Sequence, residues 1–209
     1  MKLIQRLSFS SARYLADNLG EDHEKRRMYY FGFQVVYGAV IKSAILIALS
    51  SLSGALWATL TVVAVFALLR AIAGGYHMDT YGKCIAVSIC LFLIAGCVAQ
   101  YTYMYWNNTG TTILILTSFI LAMASMLKWS PKDSPNRPIT SAEEKRRFKA
   151  LSALYVFVWL IGASLLNYCG NTLFVLSASF GLLLGAFIIT PPAYRLFDIL
   201  SGKLDKLSG

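Results

Sequence analysis

The chain is short of charge. Of its 209 residues only 14% are Asp, Glu, Lys or Arg, while 57% are hydrophobic; soluble domains carry about 25% charged residues. That deficit excludes an ordinary water-soluble domain and makes lipid the main solvent. Acidic residues are also few, ten against nineteen Lys and Arg, for a formal charge of +9. In a soluble protein this excess would point to nucleic acid. Here the cations cluster at the ends of apolar runs, so anionic lipid is the expected partner and nucleic acid is not. Cys84, Cys90, Cys97 and Cys169 form no CxxC pair and no disulfide-like framework. Nothing therefore implies an oxidised extracellular domain, and neither a metal nor another cofactor is expected. No cleavable signal peptide is expected in residues 1–20, because Arg6, Arg13 and Asp17 interrupt them. The first span is expected to target and anchor the chain. No internal repeat or low-complexity segment is apparent.

The apolar residues arrive in blocks near the ~20 residues that cross a hydrocarbon core of about 30 Å. They predict an all-α integral membrane protein with six transmembrane helices, near 30–50, 54–73, 84–104, 110–127, 150–168 and 172–190. Residues 1–28 place Leu3, Ile4, Leu7, Ala12, Leu15 and Leu19 at helical spacing beside Lys2, Arg6 and Arg13, the pattern of an amphipathic helix lying in the interface. The chain is thus read as a single membrane domain, 1–209: an interfacial segment 1–28, a six-span bundle 30–190 and a cytoplasmic tail 191–209. Pro191 and Pro192 are expected to end the last span, and the tail, with Leu196, Phe197, Ile199, Leu200 and Leu204, to lie along the inner surface.

Charge placement orients the bundle. The connectors 51–53, 105–109 and 168–171 contain no charged residue, whereas the other segments carry the Lys and Arg. Positive charge stays inside, so both termini and the loops 74–83 and 128–149 are expected in the cytoplasm. Ser177, Gly181 and Gly185 recur every four residues, which lets another helix approach closely. The first reading is packing within one chain; the alternative is a subunit interface, giving a homodimer.

The run 70–84, RAIAGGYHMDTYGKC, gathers a thiol, an imidazole, a carboxylate and two cations. A cysteine nucleophile reacts as its thiolate, and a nearby histidine can take the proton. Cys84 also falls where the third span should begin, and a helix N-terminus favours an anion. On an unbroken helix His77 and Cys84 would stand about 10.5 Å apart along the axis, too far for proton transfer between heavy atoms near 3 Å. The chain must fold back between them, and Gly74, Gly75 and Gly82 supply the freedom. The bland alternative is a polar interfacial loop with His77 at lipid headgroups.

The AGGYH run with a cysteine seven residues after the histidine resembles the signature of the AgrB family. The run 130–139, SPKDSPNRPI, resembles that family's second block, a Pro-rich Asp…Asn-Lys-Pro cytoplasmic loop, with Arg137 where Lys is usual. Six spans, about 200 residues and a basic amphipathic N-terminus are similar as well. The resemblance implies a bacterial cell-membrane cysteine endopeptidase. Such an enzyme processes an AgrD-type propeptide into a cyclic quorum-sensing peptide through a thioester on Cys84, with His77 as base. Arg70 and Gly75 match further positions on which the family relies.

Other polar residues have two readings each. Arg70, one turn inside its span, either snorkels to headgroups or binds a substrate carboxylate. Asp79 is a solvated loop acid or the group that orients His77. Lys42 lies mid-span, where a lone charge costs about 2.5–3.5 kcal/mol; such residues face a bundle interior or wet cavity, which makes it a candidate for the peptide path. Lys132, Asp133, Asn136 and Arg137 of the second block are candidate substrate contacts. Thr140 or Ser141 with Glu143 and Glu144 predicts a helix start. The cations 145–149 that follow suit lipid, or an acidic propeptide tail. Cys90 and Cys97 are read as small packing residues of the third span. The rival function is a small transporter or peptide exporter built on Lys42 and the small-residue stripe; a non-catalytic assembly partner is a third.

Overall fold

The computed structural model describes residues 2–76, 81–132 and 141–208. Among the described residues eight α-helices run in order: α1 (Lys2–Leu19), α2 (His23–Leu52), α3 (Leu56–Ala73), α4 (Tyr81–Thr102), α5 (Asn108–Trp129), α6 (Ala142–Tyr168), α7 (Thr172–Phe187) and α8 (Pro191–Ser208). Five of them, α2 to α6, are long and apolar enough to cross a membrane. Exposed Val40, Ile94, Ile120, Leu121, Leu154 and Ile161 project from these helices, a surface suited to lipid rather than water.

The sixth span differs in form. α7 has 16 residues and reaches about 24 Å, short of the ~30 Å core. Together with α8 it passes as one broken span, bent by 85°. The expected stop at Pro191-Pro192 is displaced: α7 ends at Phe187 and the prolines open α8 instead. A helix's first turn has N–H groups without helical partners, so a residue lacking one loses nothing there.

The chain divides into two compact units, Met1–Leu49 and Ser50–Gly209. In the first, α1 stops at Gly20, which adopts φ 63° as helix-ending glycines do. The Asp22 carboxylate caps α2 by accepting from the Lys25 N–H at 2.9 Å. Ser11 and Tyr37 join α1 to α2 through their hydroxyls at 2.7 Å, and Phe9 meets Tyr30 edge-on at 6.3 Å.

In the second unit α7 is the most enclosed helix, with nine buried residues, and α3 lies along it. The small-residue stripe makes this possible within one chain. A Cβ on Gly181 would stand 2.5 Å from the Val62 carbonyl oxygen, and one on Gly185 2.9 Å from Leu69 Cδ2. α6 is tied to both helices, the Tyr155 hydroxyl donating to the Val65 carbonyl at 2.9 Å and the Trp159 indole to the Ala178 carbonyl at 3.2 Å. Ser141 caps α6 as its sequence suggests, accepting from the Glu143 N–H at 3.2 Å. At the opposite end Asn167 accepts from Thr111 at 2.6 Å and donates to Asn108 at 2.9 Å, locking α6 to the start of α5. Cys97 is half-buried, but Cys90 is exposed and so faces outward rather than packing.

Candidate active site

The site grows from the C-terminal end of α3. Gly74 ends the helix with φ 75° and ψ −149°, a region open essentially to glycine alone. It lies against the segment after α5: the Lys132 N–H donates to the Ala73 carbonyl at 2.9 Å, and Gly74 and Lys132 form an isolated parallel bridge. A Cβ on Gly74 would sit 2.2 Å from the Lys132 carbonyl oxygen. Gly75, at φ 138°, leans the other way, where a Cβ would come within 2.9 Å of Ile188 Cγ2. The turn therefore threads between the α5–α6 connection and the α7–α8 bend, in a space that side chains would fill.

Arg70 closes this turn. Its Nη2 donates to the Tyr76 carbonyl at 2.7 Å, while the guanidinium lies 5.8 Å over the Phe66 ring. Through that hydrogen bond Arg70 staples the chain six residues ahead. Tyr76 then passes the connection to α8. Its hydroxyl donates to Asp198 at 2.7 Å, and its ring stacks on Phe197 at 5.4 Å and meets Tyr194 edge-on at 5.1 Å. The Lys132 ammonium covers Tyr194 at 5.2 Å.

α4 brings the thiol. Cys84, the fourth residue of the helix, is half-buried and free, and its carbonyl accepts from the Ser88 hydroxyl at 2.6 Å. The neighbouring Lys83 ammonium donates to the Ser201 carbonyl and hydroxyl at 3.2 and 3.1 Å, a second tie to α8. Between α3, α4, α7 and α8 lies a cavity of about 130 Å³ with Cys84, Arg70, Tyr76 and Ser88 on walls that are otherwise apolar. A half-buried soft nucleophile at a helix N-terminus, beside a cation and against apolar walls, is an arrangement capable of acyl transfer.

Of the residues singled out in the sequence, Arg70, Gly75, Cys84 and Lys132 converge on this region. His77, Asp79, Asp133, Asn136 and Arg137 lie outside the described residues. Lys42 is half-buried on α2 in the first unit. Among the described residues no group of three or more His, Cys, Asp or Glu side chains could hold a metal ion. Sequence reasoning missed Tyr76, Lys83 and the contributions of Tyr194, Asp198 and Ser201. The signal was present: Tyr194, Phe197 and Ser201 recur at i, i+3 and i+7, one face of a helix.

Comparison with known proteins adds an independent line. The profile of the family described as AgrB, Accessory gene regulator B, matches residues 9–189. An AgrB-like protein of Clostridium acetobutylicum is 25% identical over 123 residues, 59% of this chain and 56% of that protein. Another from Listeria innocua is 23% identical over 150 residues, 72% of this chain and 70% of its own length. One from Halalkalibacterium halodurans is 22% identical over 189 residues, covering 90% and 88% of the two chains. No solved structure matches.

Proposed function

Because the chain belongs to the AgrB (accessory gene regulator B) family, we propose that it is a cysteine endopeptidase of the bacterial plasma membrane. Its substrate is a quorum-sensing propeptide of the AgrD type, which it cuts and prepares for ring closure. The observation that carries this reading is the position of Cys84, in the first turn of α4 on the wall of a partly open, largely apolar cavity with Arg70. The uncharged connectors at one end and the cationic segments at the other support a cytoplasmic face for this site.

The reaction opens with transfer of the Cys84 proton to the imidazole of His77, which follows Tyr76 in the chain. The thiolate attacks a peptide carbonyl of the substrate, and the tetrahedral oxyanion draws on N–H donors of the kind a helix's first turn offers. The C–N bond breaks, and the departing amine takes the proton from His77. The substrate's N-terminal part remains on Cys84 as a thioester. A cysteine or serine within that part attacks the same carbonyl, its proton passing to the returning Cys84 thiolate, and leaves as a thiolactone or lactone. The thioester keeps the carbonyl activated, so closure requires no further energy source. The apolar walls keep hydrolytic water away meanwhile. The break between α3 and α4 fits this scheme, since an unbroken helix would hold imidazole and sulfur too far apart. Arg70 and Gly75 serve as positioning residues that shape the turn leading to His77.

The test is propeptide cleavage by membranes containing the full chain, using an amphipathic AgrD-type propeptide with an internal Cys or Ser and an acidic tail. Cys84→Ser is expected to abolish cleavage at unchanged abundance, His77→Ala likewise, and wild type to yield a mass-shifted adduct on Cys84. Normal cleavage by Cys84→Ser overturns the proposal. A transporter would tolerate that change and fail at Lys42 instead.

A further inference from the structure

The cavity beside Cys84 is close in size to one aromatic ring. Its volume is about 130 Å³, and a dry, apolar engineered cavity of about 150 Å³ is known to accept benzene. Three polar side chains on its walls are hydrogen-bonded within the protein. Arg70 donates to the Tyr76 carbonyl, the Tyr76 hydroxyl to Asp198, and the Ser88 hydroxyl to the Cys84 carbonyl. An apolar group entering leaves these bonds in place and meets walls that are mostly apolar.

Two opposed walls make the space. Phe66, Phe92 and Leu184 come from α3, α4 and α7, and Leu196, Phe197 and Leu200 from α8. The family match ends at residue 189, before α8 begins at Pro191. One wall thus lies inside the matched region with the sulfur, and the other wholly beyond it. The Tyr76–Asp198 and Lys83–Ser201 hydrogen bonds hold α8 in place.

We propose that this cavity is the acyl-side specificity pocket, that it takes one ring-sized apolar side chain from the peptide residue whose carbonyl becomes bonded to Cys84, and that α8 sets its size. The inference rests on Cys84 being the acylated residue. Its test requires no catalysis, so the two can fail separately.

In detergent-solubilised full-length chain carrying Cys90→Ala, Cys97→Ala and Cys169→Ala, Cys84 is labelled with methyl, benzyl and naphthylmethyl methanethiosulfonate. The benzyl reagent is expected to react about tenfold faster than the methyl one, the scale on which apolar pockets discriminate by size. Leu200→Trp, which fills the α8 side, is expected to bring the benzyl-to-methyl ratio down to about one. Phe197→Ala, which enlarges the pocket, is expected to raise the naphthylmethyl rate about tenfold, and remains informative if the tryptophan variant does not fold. A benzyl-to-methyl ratio near one in the parent, or ratios that both α8 variants leave unchanged, overturns the proposal. Suppression of benzyl labelling by added phospholipid, with methyl labelling intact, also overturns it, since the occupant would then be a lipid chain. If instead Cys84→Ser still cleaves propeptide, the protease reading falls while the labelling result stands.

Discussion

Gly74 gives the sharpest test of the turn that shapes the site. Replacing it with alanine costs roughly 1–3 kcal/mol for a side chain held in a glycine-only backbone region. The new Cβ would also lie 2.2 Å from the Lys132 carbonyl oxygen. That oxygen is backbone and is held by the bridge between the two segments, so it cannot simply rotate away. Overpacking of this kind adds about 1–3 kcal/mol. Against a combined ~2–6 kcal/mol stand contacts such as the Lys132-to-Ala73 hydrogen bond, worth about 1 kcal/mol each. The turn should leave Lys132. At about 1.4 kcal/mol per factor of ten, cleavage of propeptide by membranes with matched protein abundance should fall at least about thirtyfold. Gly170→Ala separates the two contributions. Gly170 also has positive φ, 74°, but nothing lies within 4 Å of its Cβ direction, and it sits between α6 and α7 at the other end of the bundle. It should leave cleavage within about twofold. Wild-type activity in Gly74→Ala, or equal damage from Gly170→Ala, would refute the reasoning.

Arg70→Lys keeps a cation but loses the planar fork that reaches the Tyr76 carbonyl; a bond to a charged donor is worth about 1.5–3 kcal/mol. Cleavage is expected to fall about tenfold or more in kcat with little change in KM, and an unchanged kcat would deny the stapling role. Tyr76→Phe removes the hydrogen bond to Asp198 but preserves the stack on Phe197. A loss of about 1 kcal/mol, or roughly fivefold in cleavage, is expected, with a thermal midpoint lowered by a few degrees. A larger loss than Tyr76→Ala gives would contradict it. Gly181→Leu should sharply reduce membrane abundance, measured by a fluorescent C-terminal fusion, because its Cβ meets the Val62 carbonyl at 2.5 Å. Gly162→Leu on α6, where nothing lies within 4 Å, should be tolerated.

The helices were legible because lipid imposes a length and an apolar composition on each one, and the connectors 51–53, 105–109 and 168–171 carry no charge to blur the ends. Ser141 was legible as a cap for a similarly local reason: its hydroxyl needs only the N–H two residues on. The sequence was less informative where a residue's partner is distant. Arg70 offers two readings from its position alone, and its hydrogen bond to the Tyr76 carbonyl belongs to neither. Cys90 has core-like spacing from Cys97, but in lipid an exposed helix face is as apolar as a buried one, so spacing did not separate them. The prolines at 191 and 192 were read as a stop because a proline inside a helix is a break; the same residues at a first turn are a start.

That reversal bears on function. With α7 ending at Phe187 and α8 set at 85° to it, Tyr194, Phe197, Asp198 and Ser201 meet Tyr76, Lys83 and Lys132 near Cys84. Tyr76 approaches α8 from before the thiol and Lys83 from beside it. The α8 wall beside the sulfur is therefore held by long-range contacts: the contacting residues are separated by 118 and 122 positions along the chain. Local patterns single out Cys84 and His77 as a candidate nucleophile and base seven residues apart, but this apolar wall comes from a helix that only tertiary structure brings to the thiol.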